Sequence, residues 1–366
     1  MKHYMNDYIY AMDQLQLSQQ QQERLFHAAV HQANHANTKR RPIRRTALAA
    51  VVLVSLLAIT ACGIVLKTAG EAFAPVFGNT TSQKAVMDDI GTQIGASATD
   101  NGVTITADAV IGDDKQAWIM YTLSWDDSAD IDLPEGIVQS PTDYATEIPE
   151  TTLQFKICDD WHWIPYNQFF DSDPNDNAIE FMEVIHLTDN PIEPFDIHSL
   201  TRKFQNLQFC GTDAYGNPLG NYMDDSVPSW QTLIEGNWTL EFDASYENAA
   251  VSVPLGDQTE IEIDGFVYEI HSIQVSPISV CVSYSDPNDN IEESFGTMLT
   301  HHLIYVTTTS GQTYHTDATA YDETLTDDGS KRIVTDGGAF TEVIPLEDIE
   351  SVTIGTVTYP VPHAVS

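Results

Sequence analysis

The longest apolar stretch of the chain runs from Thr46 to Leu66 and contains no Asp, Glu, Lys, Arg or His. At about 1.5 Å per residue, a helix of this length is roughly 31 Å long, which matches the hydrocarbon core of a bilayer. Positive residues beside a span stay in the cytoplasm. The pattern therefore predicts a transmembrane helix over 46–66, with residues 1–45 cytoplasmic and the bulk of the chain extracellular. The predicted membrane anchors are Arg40, Arg41, Arg44 and Arg45.

Two other interpretations of this stretch were weighed. A cleaved signal peptide has an apolar core of about 7–15 residues close to the start of the chain, and this stretch is longer and later. The four residues Ile59–Cys62 resemble the lipobox of bacterial lipoproteins, whose cysteine is lipid-modified after cleavage. Lipidation at Cys62 is kept as an alternative, and it would also tether the outer part to the membrane.

The tail of residues 1–45 carries two short amphipathic patterns, from Asp7 to Leu17 and from about Gln19 to Ala36. Helices this short bury too little surface to fold firmly alone. The tail is predicted either to remain a loose spacer or to fold against a cytoplasmic partner. The apolar candidates for partner binding are Tyr8, Met12, Leu15, Leu25, Phe26 and Val30.

Beyond the apolar stretch, the pattern changes to the alternation that is typical of strands. In Gly102–Ile111 the alternation predicts Val103, Ile105, Ala107 and Ala109 on one face, and it places Asp108 on the other. Ala117–Trp125 is an aromatic-rich strand, and Asp264-Gly265 is a strong hairpin signal. Further predicted strands are Thr152–Cys158, Ile179–Leu187, Phe204–Cys210, Trp238–Tyr246, Gln258–Asp264, Phe266–Val275, Pro277–Tyr284, His301–Thr309, Thr341–Ile344 and Ser351–Pro360.

These patterns together predict a mainly β protein with short cytoplasmic helices, one transmembrane helix and two antiparallel β-sandwich-like extracellular domains. Residues 67–84 are predicted to be a juxtamembrane linker with a short apolar helix broken by Pro75 and Gly78. The first extracellular domain is placed at 85–252 and the second at 253–366.

The charge of the chain reverses across the apolar stretch. Residues 1–45 hold seven Lys or Arg and three Asp or Glu, whereas residues 67–366 hold 8 and 51, so the formal charge changes from +4 to −43. A field of this sign repels phosphate, which excludes nucleic acid as a partner of the outer part. Cations, basic peptides and basic wall components fit it, as does a surface that is charged only for solubility.

An oxygen-rich sequence occurs twice, as Ser172–Asn177 and as Ser285–Asn290, both reading SDPNDN. Ca²⁺ takes six to eight oxygen ligands, so weak candidate ligands are Asp173, Asp176, Asp286 and Asp289. Asp, Pro and Asn are also the best turn formers, and a pair of tight turns is the other interpretation.

Nothing in the sequence specifies a reaction. Nucleophile, zinc-protease, nucleotide and dinucleotide motifs are absent, so no catalytic residue and no cofactor is predicted, and the chain is not expected to be an enzyme. The cysteines Cys62, Cys158, Cys210 and Cys281 form no zinc-ribbon spacing. One bridge between Cys158 and Cys210, or buried thiols, are both compatible with an outer compartment.

The order of basic cluster, single span and the segment Gly91–Trp125 resembles bacterial single-pass membrane proteins with the domain of unknown function 4179. The residues that carry the likeness are Asp100-Asn101-Gly102-Val103 and Asp113-Asp114, and Val267–Tyr284 is similar to the immunoglobulin-like domain that often follows. The resemblance implies an anti-sigma-factor-like regulator or surface sensor without established catalytic residues. The tail has no cysteine, so the zinc motif of one large anti-sigma class is absent.

The resulting hypothesis is a membrane-anchored extracytoplasmic sensor or regulator. Its outer domains would sense an unidentified ligand or wall component, and its tail would hold a cytoplasmic partner such as a sigma factor. The alternative is a cell-surface binding or adhesion protein with no signalling role.

Overall fold

The structure of the protein is a computed structural model. The residues that it describes all belong to one compact unit, 59–366. They are 66–113, 115–126, 129, 131–140, 151–156, 166–187, 197–212, 230–263, 265–285, 304–325 and 332–362. The predicted tail and the predicted span, except Leu66, lie outside these ranges. Within the described ranges, no helix is both long enough and apolar enough to cross a bilayer.

The described chain has three short helices near its start, followed by strands. The helices are α1 (Ala69–Ala72), α2 (Ala74–Phe77) and α3 (Thr81–Ile90). The strands are β1 (Thr92–Asp100), β2 (Val103–Gly112), β3 (Gln116–Trp125), β4 (Thr151–Phe155), β5 (Tyr166–Phe170), β6 (Ala178–His186), β7 (Leu200–Gly211), β8 (Gln231–Phe242), β9 (Val251–Ser252), β10 (Glu260–Ile263), β11 (Phe266–Val275), β12 (Ser279–Ser285), β13 (Ile304–Thr308), β14 (Thr313–His315), β15 (Asp317–Leu325), β16 (Arg332–Ala339), β17 (Ile349–Ile354) and β18 (Val357–Pro360).

The strands form four sheets, and every described pairing is antiparallel. Sheet one has the order β1-β2-β3-β6-β5 and sheet two the order β4-β7-β8. Sheet three has the order β10-β11-β12-β16-β15, with β9 also paired to β11, and sheet four has the order β14-β13-β17-β18. The prediction of a mainly β, antiparallel chain is confirmed.

Sheets one and two share an aromatic core. Tyr121 stacks on Phe181 with the ring centroids 4.6 Å apart, and Phe204 from β7 meets Tyr121 edge-on. Trp238 is 1% exposed, and its indole N–H donates to the carbonyl oxygen of Val103 at 3.0 Å. The predicted alternation from Trp238 to Tyr246 agrees with this core, because Trp238, Leu240, Phe242, Ala244 and Tyr246 all belong to it or pack against it.

Strand β2 departs from the predicted alternation at Asp108. Its register with β3 pairs Ala107 with Tyr121 and then Ala109 with Met120, so Asp108 is the extra residue of a β-bulge. The prediction for Ala109 was wrong, since it packs in a different cluster from Val103, Ile105 and Ala107. A bulge shifts the face of every residue after it, and sequence alternation alone does not reveal it.

The second face of sheet one is covered by α1, α2 and α3. Phe73, Phe77 and Met87 are at most 1% exposed, and they form a cluster with Trp118 and Met120. The segment 67–84 is therefore folded onto the sheet, which differs from the predicted linker. Its apolar residues are spaced for burial, and capping boxes at Thr68 and Thr80 start two of the helices.

Sheets three and four share a second core, which includes Ile273, Val282, Tyr284, Val306 and Val352. The predicted hairpin at Asp264-Gly265 is confirmed by the pairing of Ile263 with Phe266 and by a φ of 85° at Gly265.

Two strand predictions in this part of the chain were wrong. Thr341–Ile344 is not a strand, because the backbone N–H groups of Val343 and Ile344 donate to the carbonyls of Phe77 and Pro277. Ser351–Pro360 is a hairpin of β17 and β18 and not a single strand, since the chain reverses at Gly355, where φ is 58°.

Direct contacts join the helical layer and sheet one to the part of the chain that holds the second core. The Phe77 carbonyl accepts from Val343 at 2.8 Å, and Gln83 Nε2 donates to Glu342 Oε2 at 2.7 Å. The buried Asp113 carboxylate accepts from the Ser279 hydroxyl. The boundary predicted near residue 252 stays a prediction.

Asp336 in β16 provides a pH-dependent test of the second core. Burial raises the pKa of this carboxyl to about 7, although the Gly337 N–H acts in the opposite direction. Between about pH 4 and pH 7 the unfolded chain therefore releases a proton that the folded chain retains, so the free energy of unfolding falls as the pH rises. We expect Asp336→Asn to raise the free energy of unfolding by about 1–3 kcal/mol at pH 8 and to change it little at pH 4.

Urea unfolding of the full-length protein at both pH values measures this difference. The exposed Asp257→Asn variant is the matched control and should leave the pH dependence unchanged. An Asp336→Asn variant that is equally stabilised at pH 4 and pH 8 would contradict the assignment.

Candidate functional site: buried charges on both faces of one sheet

The first charge cluster lies on the helix-covered face of sheet one. The Lys67 ammonium donates to Glu180 Oε1 at 3.0 Å and to Thr122 Oγ1 at 3.1 Å, and Thr122 donates to Asp108 Oδ2 at 2.6 Å. Asp108 is 2% exposed and Glu180 6%. Side chains from three strands and from Lys67, two residues before α1, therefore meet at one point.

The bulge places Asp108 in this cluster. On β1, two residues, Ile94 and Gly95, lie between the register partners of Ala109 and Ala107, and Gly95 has a φ of 74°. Burial raises the pKa of Asp108 to about 6, while Lys67 and the Thr122 hydroxyl act in the opposite direction. Burial by itself would lower the pKa of Lys67, but Asp108 and then Glu180 outweigh it and raise that pKa.

The first SDPNDN loop borders this cluster. Glu180 Oε2 accepts from the backbone N–H of Ser172 at 3.2 Å. Burial, and then the charges of Asp176 and Glu180, raise the pKa of Asp171 to about 6. Asp171 Oδ1 is buried and has no hydrogen-bond partner among the described residues. Among the described residues, the first charge cluster and its adjoining loop therefore contain more carboxyl groups than ammonium groups.

The candidate calcium ligands of this loop act as turn formers. Asp173 Oδ1 accepts from the backbone N–H and the side chain of Asn175, and these bonds lower the pKa of Asp173. Asp176 Oδ1 accepts from the N–H of Ala178 at 3.0 Å. Among the described residues, no three His, Cys, Asp or Glu side chains are grouped so that they could hold a metal ion. Of the second copy only Ser285 is described, so Asp286 and Asp289 lie outside the described residues.

The second charge cluster lies on the opposite face of β6, inside the aromatic core. Arg202 Nε donates to Glu183 at 2.8 and 3.0 Å, and the Tyr121 hydroxyl donates to Glu183 Oε2 at 2.7 Å. Burial and then the Glu183 charge raise the pKa of Tyr121 well above its usual range. Burial by itself would lower the pKa of Arg202, but Glu183 and then Tyr121 raise it. This ion pair joins sheet one to sheet two.

The residues that carried the sequence resemblance lie where separate elements of the fold contact each other. Asp100 Oδ2 accepts from the N–H of Asn237 at 2.8 Å, and Asn101 Nδ2 donates to the Glu235 carbonyl at 3.1 Å. Asn101 has a φ of 50°, and Asn101 and Gly102 form the turn between β1 and β2. Both contacts tie the β1–β2 hairpin to β8.

The structure does not test most of the site residues predicted from the sequence. The anchors Arg40, Arg41, Arg44 and Arg45 lie outside the described residues, as do all tail candidates and Cys158. Cys210 and Cys281 are buried. The pairing of Lys67 with Glu180 and of Arg202 with Glu183 was not predicted from the sequence. The one available signal was that only eight Lys or Arg residues follow residue 66, so that each has many acidic residues as potential partners.

Comparison with known proteins agrees with the resemblance. Residues 38–124 match the family described as "Domain of unknown function (DUF4179)", so the chain carries this domain from the basic cluster into β3. The predicted immunoglobulin-like domain lies beyond this match and stays a prediction. None of the curated proteins matches the chain.

The chain is also similar to a solved structure, described as "The crystal structure of the conserved domain protein from Bacillus anthracis". The two are 14% identical, the TM-score is 0.37, and the match covers 72% of this chain and 75% of the other. At this level of similarity no argument rests on the match.

Replacing Arg202 should lower the free energy of unfolding far more than replacing the adjacent Lys203. Arg202→Met leaves the Glu183 carboxylate buried without its cation, which destabilises a protein by about 3–5 kcal/mol. Lys203 is exposed, so Lys203→Met is the control and should change the free energy of unfolding by less than about 0.5 kcal/mol. Urea unfolding followed by tryptophan fluorescence measures both.

The double variant Arg202→Met with Glu183→Gln separates loss of charge from loss of packing. It should recover a large part of the lost stability because no unpaired charge remains. If Arg202→Met were as stable as the wild type, the ion pair would not be needed to join the two sheets.

Proposed function

We propose that the protein is a membrane-anchored extracytoplasmic sensor that holds a cytoplasmic transcription regulator, specifically a sigma factor, through residues 1–45. The observation that carries the proposal is the reversal of formal charge, from +4 to −43, across the apolar stretch 46–66. Under the positive-inside rule the five Lys or Arg residues within 39–45 orient a single span with the tail in the cytoplasm.

In this proposal, the two pairs of packed sheets are two extracellular sandwich-like domains, and the second is immunoglobulin-like. The outer ligand is a cation, a basic peptide or a basic wall component, because the −43 field favours positive charge. No catalytic role is assigned to any residue. The contacts of Lys67 with sheet one support the proposal, since a span ending at Leu66 would enter the outer fold directly, without a free spacer.

A second candidate function is surface binding or adhesion, with the tail serving only as an anchor. The observation that favours it is the excess of 51 acidic over 8 basic residues after the apolar stretch, which suits binding to a polycation without signalling. Lipidation at Cys62 would fit this candidate, because cleavage there would remove the tail.

The two candidates differ in what the tail binds. We expect Leu25→Asp combined with Phe26→Asp to reduce capture of the cytoplasmic partner by the full-length protein at least about tenfold. Charges would replace two apolar contacts worth about 1.5–3 kcal/mol each. In-cell cross-linking followed by mass spectrometry identifies the partner. Gln20→Asp with Gln22→Asp on the same predicted helix is the charge-matched control and should leave the capture unchanged.

Recovery of a sigma factor by the wild type and the control, but not by the apolar variant, supports the sensor. If scrambling residues 1–38 with 39–45 intact changes neither transcription nor outer binding, the adhesion candidate is correct. A mature chain that begins at lipidated Cys62 would overturn any role for the tail.

A further inference from the structure

The first residues of the described chain are held against sheet one by three separate contacts. The Lys67 ammonium reaches Glu180 and Thr122, and the Lys67 carbonyl accepts from Gln93 Nε2 at 2.8 Å. Leu66 packs on Gly95, where an added Cβ would lie 2.8 Å from Leu66 Cδ2. The next residue, Thr68, caps α1. The entry of the chain into the fold is thus fixed at its side chains and its backbone.

The ammonium of Lys67 faces more than one acidic group, from β2, from β6 and from the loop before β6. The described groups that face the cluster are Asp108 on β2, Thr122 on β3, Glu180 on β6, and Asp171, Asp173 and Asp176 on the adjoining loop. Lys67 is the one cation that these contacts include among the described residues. A change in the charge of a carboxyl group that is coupled to Lys67 therefore changes how firmly Lys67 is held.

We propose that Lys67, Asp108 and Glu180 form a proton-controlled latch on the entry of the chain: it is tight while Asp108 is ionised, and it loosens when Asp108 takes up a proton. Asp108 is suited to this role because it is fully buried and is coupled to Lys67 through Thr122. Glu180 keeps Lys67 paired in both states, so proton uptake weakens the latch without removing it.

The direction of the effect follows from linkage. The pKa of Asp108 is about 6 with Lys67 in place, and Lys67 holds it below the value that burial and Glu180 would otherwise impose. When Lys67 leaves, that pKa rises further, so the undocked state binds the proton more tightly. Protonation consequently favours undocking, and docking weakens as the pH falls through the region just above and around 6.

Protonation of Asp108 loosens the latch, but it does not destabilise the folded protein as protonation does in general acid unfolding. The folded pKa of Asp108 is raised above its ordinary value, so this group makes the folded protein more stable, not less, as the pH falls from about 6 to about 4. Local loosening at residue 67 should therefore occur while the contribution of Asp108 to the global free energy of unfolding does not fall. The use of the latch as a signalling step rests on the proposed function, but the latch itself does not.

Hydrogen exchange of the full-length protein at pH 8 and pH 5 tests the latch. The reporters are the backbone amides of Thr68, Gly70, Glu71 and Ala72, which hydrogen-bond within α1 or to Asp88. After correction for intrinsic exchange, their protection should be about three- to tenfold lower at pH 5 than at pH 8, while protection of β17 does not fall. In Asp108→Asn, protection should be low and equal at both pH values.

Two control variants separate Asp108 from its acidic neighbours. Asp89→Asn, at an exposed position of α3, and Asp171→Asn, in the loop, should both keep the pH response of the wild type. The proposal is overturned if wild-type protection at α1 does not depend on pH, or if Asp108→Asn keeps the full response. It is also overturned if Asp171→Asn alone abolishes the response, because the titrating group would then be in the loop. Each of these outcomes is independent of whether the tail binds a sigma factor.

Discussion

Two ion pairs, each with a buried glutamate, lie on opposite faces of β6 and hold the first pair of sheets and the start of the helical layer together. Glu180 and Glu183 are three residues apart on one strand, so their side chains point to opposite sides. Glu180 binds Lys67 at the entry of the chain, and Glu183 binds Arg202 in the facing sheet. A buried pair adds little net stability compared with an apolar core, but it requires both partners to stay in place. These pairs therefore fix the relative positions of the elements that they connect more than they add stability.

The helical layer is the second element on which the arrangement depends. It follows Lys67 directly, covers the outer face of sheet one and contacts the segment Glu342–Val343 near the second core. Ile278 and Val343 belong to the same apolar cluster as Phe73 and Phe77. A rearrangement near Ser279 or Glu342 would have to repack this layer, because packed cores shift between discrete arrangements and do not deform continuously. The layer thus provides a physical connection between the second core and Lys67.

Sequence patterns correctly predicted those strands whose limits follow from local alternation and turn residues alone. Phe266–Val275 was predicted with its observed bounds, since alternation and a Gly hairpin agree there. The β2 alternation was correct as far as Ala107, and it failed where the bulge at Asp108 adds one residue. That bulge lies opposite Ile94 and Gly95 of β1, and Leu66 packs on Gly95, so its surroundings are tertiary contacts. Thr341–Ile344 has strand composition, yet its backbone bonds go to Phe77 and Pro277.

The candidate site was less accessible to sequence reasoning than the fold, because its partners are far apart in the chain. Lys67 and Glu180 are separated by 113 positions, and no local spacing connects them. Charge counting was the one relevant sign: where 51 acidic residues face 8 basic ones, a buried Lys or Arg has many potential partners.

The residues by which the DUF4179 segment was recognised also sit at joints, Asp100 and Asn101 against β8 and Asp113 against Ser279. Because these residues connect separate elements of the fold, they are suited to transmitting a change in the position of one element to another. The bulge, the helical layer and two of the three latch residues, Lys67 and Asp108, lie in this same segment, where the fold adjoins the predicted span.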